Sequence, residues 1–392
     1  MPFEQIEQSA VNLLWRQKSE DTRREDGMIG PVPTVVLSDL HLGAATKRSI
    51  AARPASLAAL RERLAGVDHV VLLGDALELR EAPVADVLAA AEPFFRALGE
   101  TLAGGTRVTL VPGNHDHQLA GPLLEELRLA GGALAPDAAI AAPTRGMWAL
   151  IAGWLGPAEL HISYPGIRLR PDVFATHGHY LDLHNTVPTI ECLAVSAIER
   201  ALGGRPAAGR APADYEAGLA PLYSLVYDLA QTGRLSRRVG GASAAIWRRT
   251  GGSDGRPSLP GRVLAGAAIP AAVAAVNRAG LGPFSPELSG AALRRAGLAA
   301  IAAVAERLGA GDAHVVFGHT HRSGPWPADD ADEWSLAGGG SLTNCGSWVL
   351  DEAFSPAGGG INPYSPGTCV LVDDAGPPRV ERLLEPAAIS RT

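Results

Sequence analysis

Five short apolar runs recur along the chain, each closed by small or polar residues. Thr34 to Leu37 ends at Ser38-Asp39, Val67 to Leu73 at Gly74-Asp75, and Thr106 to Val111 at Pro112-Gly113-Asn114-His115. Val173 to Thr176 ends at His177-Gly178, and Ala313 to Phe317 at Gly318-His319. Short β-branched runs bounded by turn residues predict buried strands. Helical spacing of apolar residues marks Ser56 to Leu64 and Ala82 to Leu102, between the first three runs. Strand–helix–strand alternation predicts a mostly parallel sheet with helices on its faces. Ligands of such sheets bind beyond the carboxyl ends of the strands, and all five polar motifs fall there.

From about Tyr180 to Leu308 the pattern changes to Ala-, Leu-, Gly- and Arg-rich text without β-branched runs. It reads as several helices, with joints at 203–212 (GGRPAAGRAP) and 251–261 (GGSDGRPSLPG). Its place between the fourth and fifth runs predicts an insertion over the active face. Strand-like text returns at Leu342 to Leu350, Thr368 to Val372 and Arg379 to Leu383. The predicted organisation is a helical N-terminal extension (1–30), a core in two parts (31–180 and 311–392) and a helical cap (181–310). Ile6, Val11, Leu13, Leu14 and Trp15 give the extension an amphipathic pattern. Arg234, Arg237, Arg238, Arg248 and Arg249 could offer guanidinium groups to a phosphate from the cap. Leu264 to Val276 reads as a buried lid helix, with an acyl groove or peripheral membrane contact as the other reading.

Composition narrows the class. With 392 residues and 46% hydrophobic content, the chain can bury a large core, and disorder throughout is excluded. A net charge of −7 argues against a dedicated nucleic-acid binder. Three cysteines in a chain of this length fit a reducing, cytoplasmic setting. Charges are scattered through residues 1–26, so no secretory signal is expected. No apolar run reaches the ~20 residues of a membrane span.

The 11 histidines change the picture further, because they group at 115/117, 177/179/184 and 314/319/321. Asp39-Leu40-His41 puts two donors on one side of an extended strand end. Gly74-Asp75 is followed by Glu78, Asn114 offers a neutral carbonyl, and His115 beside it could carry a proton. His177-x-His179 and His319-x-His321 are paired imidazoles of a kind that bind transition metals. Alone, each of the first three motifs reads as well as a turn. Together they offer more donors than one tetrahedral zinc site needs and suit two metal ions bridged by a carboxylate. A mixed N/O set suits Mn²⁺, Fe or Zn²⁺. His69, His161, His184 and His314 are expected to carry no chemistry, and His117 and His179 to touch substrate.

In this order the motifs DLH, GDALE, GNHD, HG and GHTH resemble the calcineurin-like metallophosphoesterase superfamily. Asn344-Cys-Gly-Ser-Trp348 is similar to the strand that follows GH-x-H in bacterial members. The resemblance covers about 34–180 and 312–350. It implies an α/β, four-layer αββα sandwich. It also implies one metal held by Asp39, His41 and His321, a second by Asn114, His177 and His319, and Asp75 between them. A metal-bridging hydroxide would attack phosphorus in line, His115 would protonate the leaving oxygen, Glu78 would orient His115, and Asp116 would be structural. Within the superfamily, GD-x-x-E and the helical insertion resemble the UDP-2,3-diacylglucosamine hydrolases. That subgroup has Arg where this chain has His115, and a shorter insertion, so a plainer phosphomonoesterase or phosphodiesterase stays open. The expected substrate is a nucleotide- or lipid-linked phosphate. Two other classes are a non-catalytic scaffold of the same fold and a repair-type DNA nuclease. The full set of ligand positions disfavours the first, and the acidic charge disfavours the second.

Overall fold

The computed structural model describes residues 33–187, 192–194, 196–197, 211–233, 269–287, 289–351, 354, 360–385 and 389. The expected N-terminal helix, the 251–261 joint, most of the 203–212 joint and the five arginines from Arg234 to Arg249 lie outside them. In chain order the described elements are β1 (Thr34–Leu37), α1 (Pro54–Leu64), β2 (His69–Leu73), α2 (Val84–Thr101), β3 (Arg107–Val111), α3 (Gly121–Ala130), β4 (Asp137–Ala141) and α4 (Gly146–Leu155). There follow β5 (Glu159–Arg170), β6 (Val173–Thr176), α5 (Pro212–Gln231), α6 (Ile269–Arg278), α7 (Gly290–Arg307) and β7 (His314–Phe317). The last are β8 (Ser323–Gly324), β9 (Leu342–Cys345), β10 (Thr368–Val372) and β11 (Arg379–Arg382).

All five motif runs are strands, with the order β11-β10-β1-β2-β3-β5-β6-β7-β9-β8 and β4 beside β5. The sheet is mixed rather than mostly parallel. β1, β2, β3 and β5 run parallel, as do β6, β7 and β9, while β10, β11, β4, β8 and the β5–β6 seam are antiparallel. The seam has a simple cause: only Pro171 and Asp172 separate β5 from β6, too few residues for a parallel crossover.

β5 makes the sandwich. Its first half pairs with β3 and β4, and from Gly166 on it pairs with β6. The switch falls at Pro165-Gly166, where proline removes a ladder donor. Ser163 and Thr176 hydroxyls donate instead to the carbonyls of Gly166 (2.6 Å) and Pro165 (2.9 Å). Read from sequence, Pro-Gly marks a turn, which is why this 12-residue strand is not foreseen.

Between the two half-sheets lies one apolar cluster drawn from both: Val36, Val71, Leu73 and Val111 against Val173, Val316 and Cys345. On one outer side, α2 buries Phe94, Phe95 and Leu98, and Phe95 stacks on Trp154 of α4. On the other, Leu298, Ile301 and Val304 of α7 share a cluster with Phe174, Val315, Phe317 and Leu342, joined by Tyr215, Leu219 and Tyr223 of α5. The layers are helix, sheet, sheet, helix. Among the described residues no helix is long and apolar enough to cross a membrane.

Candidate metal centre

The motif loops meet at the carboxyl ends of β1, β2, β3, β6 and β7. Asp39, His41, Asp75, His319 and His321 all have positive φ, between 46° and 68°. A non-glycine residue in this left-handed region is uncommon and strained. Hydrogen bonds between the loops after β1 and β2 hold them there: Asp39 N–H donates to Gly74 O (3.1 Å) and His41 N–H to Asp75 O (2.8 Å). Gly74, at φ 80°, has no room for a Cβ, which would collide with the His177 ring. A Cβ on Gly318 would strike Ser38 and Asp39.

The seven predicted ligand positions are brought together. Asp39, His41 and His321 form one group of converging donors, and Asp75, His177 and His319 form another. In the first, His321 Nε2 lies 3.3 Å from Asp39 Oδ1 and 3.1 Å from His41 Nε2. In the second, Asn114 Oδ1 lies 3.2 Å from His177 Nε2 and 3.1 Å from His319 Nδ1. Asp75 Oδ2 faces both groups, 3.2 Å from His177 Nε2 and 3.7 Å from His41 Nε2.

The remaining atoms of these side chains are engaged outward. Asp39 Oδ2 accepts from the His319 N–H (3.0 Å) and lies 2.6 Å from Ser38 Oγ, while its buried Oδ1 has no hydrogen-bond partner. Asp75 Oδ1 accepts from the His115 N–H (2.8 Å). His41 Nδ1–H donates to Glu78 Oε2 (2.7 Å), His177 Nδ1–H to Leu73 O (3.0 Å) and His319 Nε2–H to Asp182 Oδ1 (3.1 Å). Each of these rings thereby turns its other nitrogen into the cluster, the arrangement that metal-binding histidines adopt. An orphaned carboxylate oxygen and the inward-facing nitrogens of three imidazoles fit divalent cations, which would displace any proton held between them.

The electrostatics agree. Burial works against the ionised Asp39 carboxylate, yet His177 and His321 hold its pKa down at about 2. Burial also works against an imidazolium at His177, yet Asp75 and Asp39 raise its pKa to about 10. His41 is brought down to about 4 by burial, despite its bond to Glu78. The dry cluster of carboxylates calls for positive charge, which cations would supply.

His115 sits at the rim with its side chain 21% exposed, accessible to a substrate. Its Nδ1–H donates to Glu78 Oε1 at 2.6 Å, and its Nε2 lies 3.9 Å from Asp75 Oδ2. Burial disfavours its charged form, but Glu78 and Asp75 outweigh that and raise its pKa. Glu78 therefore steadies two rings, one on each oxygen. Its donor group with His41 and His115 is filled by these two bonds. Asp116 faces the backbone and accepts N–H bonds from Asp75, Ala76, Leu77 and Gly113 (2.7–3.2 Å). Asn344 fastens the β7 loop, its Nδ2 donating to Thr320 Oγ1 (2.8 Å), and Trp348 N–H donates to Asp39 O (3.0 Å).

His117 and His179 are buried beside the cluster. Glu216 of α5 is their hub: its Oε2 accepts from His117 Nε2–H (2.8 Å), and its Oε1 from the hydroxyls of Tyr164 (2.5 Å) and Tyr180 (2.6 Å). His179 Nε2–H donates to the Tyr164 oxygen (3.1 Å). Sequence reading missed Asp182, Glu216, Tyr164, Tyr180 and Tyr223. Asp182 carries a signal, lying three residues after His179, but nothing local marks Glu216. Arg237 and Arg238 lie outside the described residues.

A model of the calcineurin-like phosphoesterase family matches residues 32–231, about half of the chain. No curated protein matches the chain.

Proposed function

The chain belongs to the calcineurin-like phosphoesterase family, whose members are metal-dependent, and from that premise we propose that it hydrolyses a phosphate ester or phosphoanhydride with two divalent cations. The observation that carries the reading is Asp75 Oδ2, which faces both donor groups at once. Asp39, His41 and His321 would hold one cation, Asn114, His177 and His319 the other, with Asp75 shared. Such a pair, when bound, supplies an activated water and neutralises charge on the phosphoryl oxygens.

The chain's own groups do the rest. His115, whose pKa Glu78 and Asp75 raise against burial, would deliver a proton from Nε2 to the leaving oxygen. Glu78 fixes the orientation of His115 and, through its other oxygen, that of His41. Leu73 O and Asp182 set the tautomers of His177 and His319. Asp116 holds the turns that carry Asp75 and Asn114.

Residues 181–310 would act as a cap that selects a nucleotide- or lipid-linked phosphate, as in the UDP-2,3-diacylglucosamine hydrolases that the GD-x-x-E motif resembles. In support, α5 lays Tyr223 against the rings of His117 and His179, at 5.3 and 5.8 Å between centroids. Cys345 and Cys369, both buried and in no disulfide, fit a cytoplasmic setting. Manganese is the first cation to try.

The test is ion content and turnover of Mn²⁺-loaded protein on bis(p-nitrophenyl) phosphate and p-nitrophenyl phosphate. About two ions per chain and measurable hydrolysis are expected. Asp75→Ala should abolish turnover and lower ion content. Absent turnover of both esters, or an Asp75→Ala variant as active as wild type, refutes the proposal.

A further inference from the structure

Among the described residues beside the cluster, Arg80 and Tyr223 are buried side chains with unmet hydrogen-bonding capacity, as is His179 at Nδ1. Arg80 is only 9% exposed, yet its Nε and Nη1 make no hydrogen bond. The Tyr223 hydroxyl, on a residue 2% exposed, has none either. Arg80 follows Glu78 by two residues, and its own N–H donates to Glu78 Oε1 (3.3 Å). The preceding Leu79 N–H donates to His115 O (3.2 Å), so Arg80 adjoins the loop that carries His115 and His117. Tyr223 in turn packs on His117 and His179, and His179 lies 5.6 Å from the His177 ring.

Buried guanidinium donors left without acceptors, as Nε and Nη1 are here, are unfavourable unless a ligand supplies acceptors. Its fork of donors, with no acceptor of its own, matches the oxygens of a phosphate. The phosphoryl group under attack would be held by the cations, so Arg80 is free to address other oxygens. Its nearness to His115 places those oxygens on the leaving-group side. We propose that Arg80 and Tyr223 form a subsite for a second phosphoryl group, so that the preferred substrate is a diphosphate rather than the ester of a neutral alcohol. This rests on the two-cation phosphohydrolase reading above. In the step itself, the oxygen of one water bonds to one phosphorus and the bond from that phosphorus to the bridging oxygen breaks. The bond's electron pair stays on the bridging oxygen, which receives the proton of His115 as the second phosphate leaves. A proton of the water restores His115. Arg80 would offset the charge that builds on that second phosphate.

The experiment is isothermal titration of the Mn²⁺-loaded full chain with methylenediphosphonate and with methylphosphonate. Wild type should bind the diphosphonate more tightly. Arg80→Gln should weaken diphosphonate binding about tenfold and methylphosphonate binding less than about threefold. Arg80→Lys, which keeps the charge but not the fork, should fall between. Tyr223→Phe should weaken the diphosphonate alone, by about threefold. Equal loss for both ligands, or no loss for either, overturns the subsite. If circular dichroism shows Arg80→Gln unfolded, Arg80→Lys and Tyr223→Phe decide on the same criteria. Hydrolysis of bis(p-nitrophenyl) phosphate by wild type is run in parallel. Absence of turnover on this ester and on p-nitrophenyl phosphate alike refutes the phosphohydrolase reading, while the binding ratio still judges the subsite.

Discussion

Glu78→Gln isolates the shared carboxylate without changing its shape. The wild-type oxygens accept from His115 Nδ1 at 2.6 Å and His41 Nδ1 at 2.7 Å, and the residue is fully buried. A glutamine offers one acceptor and one donor, so one of the two rings must face an N–H. If that ring is His115, its Nδ1–H loses its acceptor and the carboxylate that raises its pKa, so the proton donor is impaired. If it is His41, the tautomer reverses and the inward nitrogen carries a proton, so a candidate ligand is lost. A charge-assisted bond contributes about 1.5–3 kcal/mol and a neutral one about 1, so two weakened bonds withdraw about 2–4 kcal/mol. At 1.36 kcal/mol per decade, the rate falls about 30- to 1000-fold. The assay is kcat/KM on phenyl phosphate and p-nitrophenyl phosphate, with ion content measured alongside. Nitrophenolate leaves readily without a proton, so loss of the acid shows as a larger fall on phenyl phosphate. Loss of the His41 ligand shows as equal falls with lower ion content. Rates within about threefold of wild type on both esters, with full ion content, would refute the reasoning, since even the smallest expected loss exceeds that.

Two further outcomes follow from groups away from the reacting atoms. Asp116→Ala leaves four backbone N–H groups without their acceptor, at about 1–3 kcal/mol each if none is rewetted, so urea unfolding should show a loss of at least about 3 kcal/mol; a loss below about 1 kcal/mol contradicts the structural role. For Glu216, burial raises the pKa but His117, Tyr164 and Tyr180 more than reverse it, so the folded value lies below the ordinary one. Its contribution is then complete above the unfolded value near about 4.3 and is lost as pH falls through the folded value. Thermal melts between about pH 5 and 3 should therefore fall more steeply for wild type than for Glu216→Gln, and equal slopes would count against the hub.

What could be read from sequence was local. Asp39-x-His41, Gly74-Asp75 and His319-x-His321 each lie within a few residues of a strand end, and spacing alone puts their side chains near one another. The partners that orient them are distant in sequence: Asp182 stands 137 positions from His319, and Glu216 stands 99 from His117. No periodicity along α5 distinguishes Glu216 from a solvated carboxylate, because its burial depends on Tyr164 and Tyr180 arriving from β5 and the loop after β6. β5 was hidden for a different reason. Pro165-Gly166 has the local chemistry of a turn, and only pairing with two half-sheets makes it continuous strand.

The backbone at the site extends the same point. Local propensity would place glycine, not aspartate or histidine, at positive φ, yet Asp39, His41, Asp75, His319 and His321 all adopt it. Each costs about 1–3 kcal/mol, so the surroundings must enforce it. The β1–β2 ladder does not stop at the strand ends. It continues through Asp39, His41 and Leu42, whose N–H groups donate to Gly74, Asp75 and Ala76 carbonyls, and returns from Glu78 N–H to Leu42 O. Trp348 N–H donates to Asp39 O, tying in the loop after β9. These bonds fix the peptide planes, and the left-handed residues turn successive donors inward from chains that would otherwise alternate outward. The strain is thus the means by which parallel strands, whose side chains point up and down, present seven donors to one point. It also explains the glycines beside them: Gly74 lets His177 come close and Gly318 lets Asp39 do so, so a methyl group at either would separate the two donor groups that Asp75 joins.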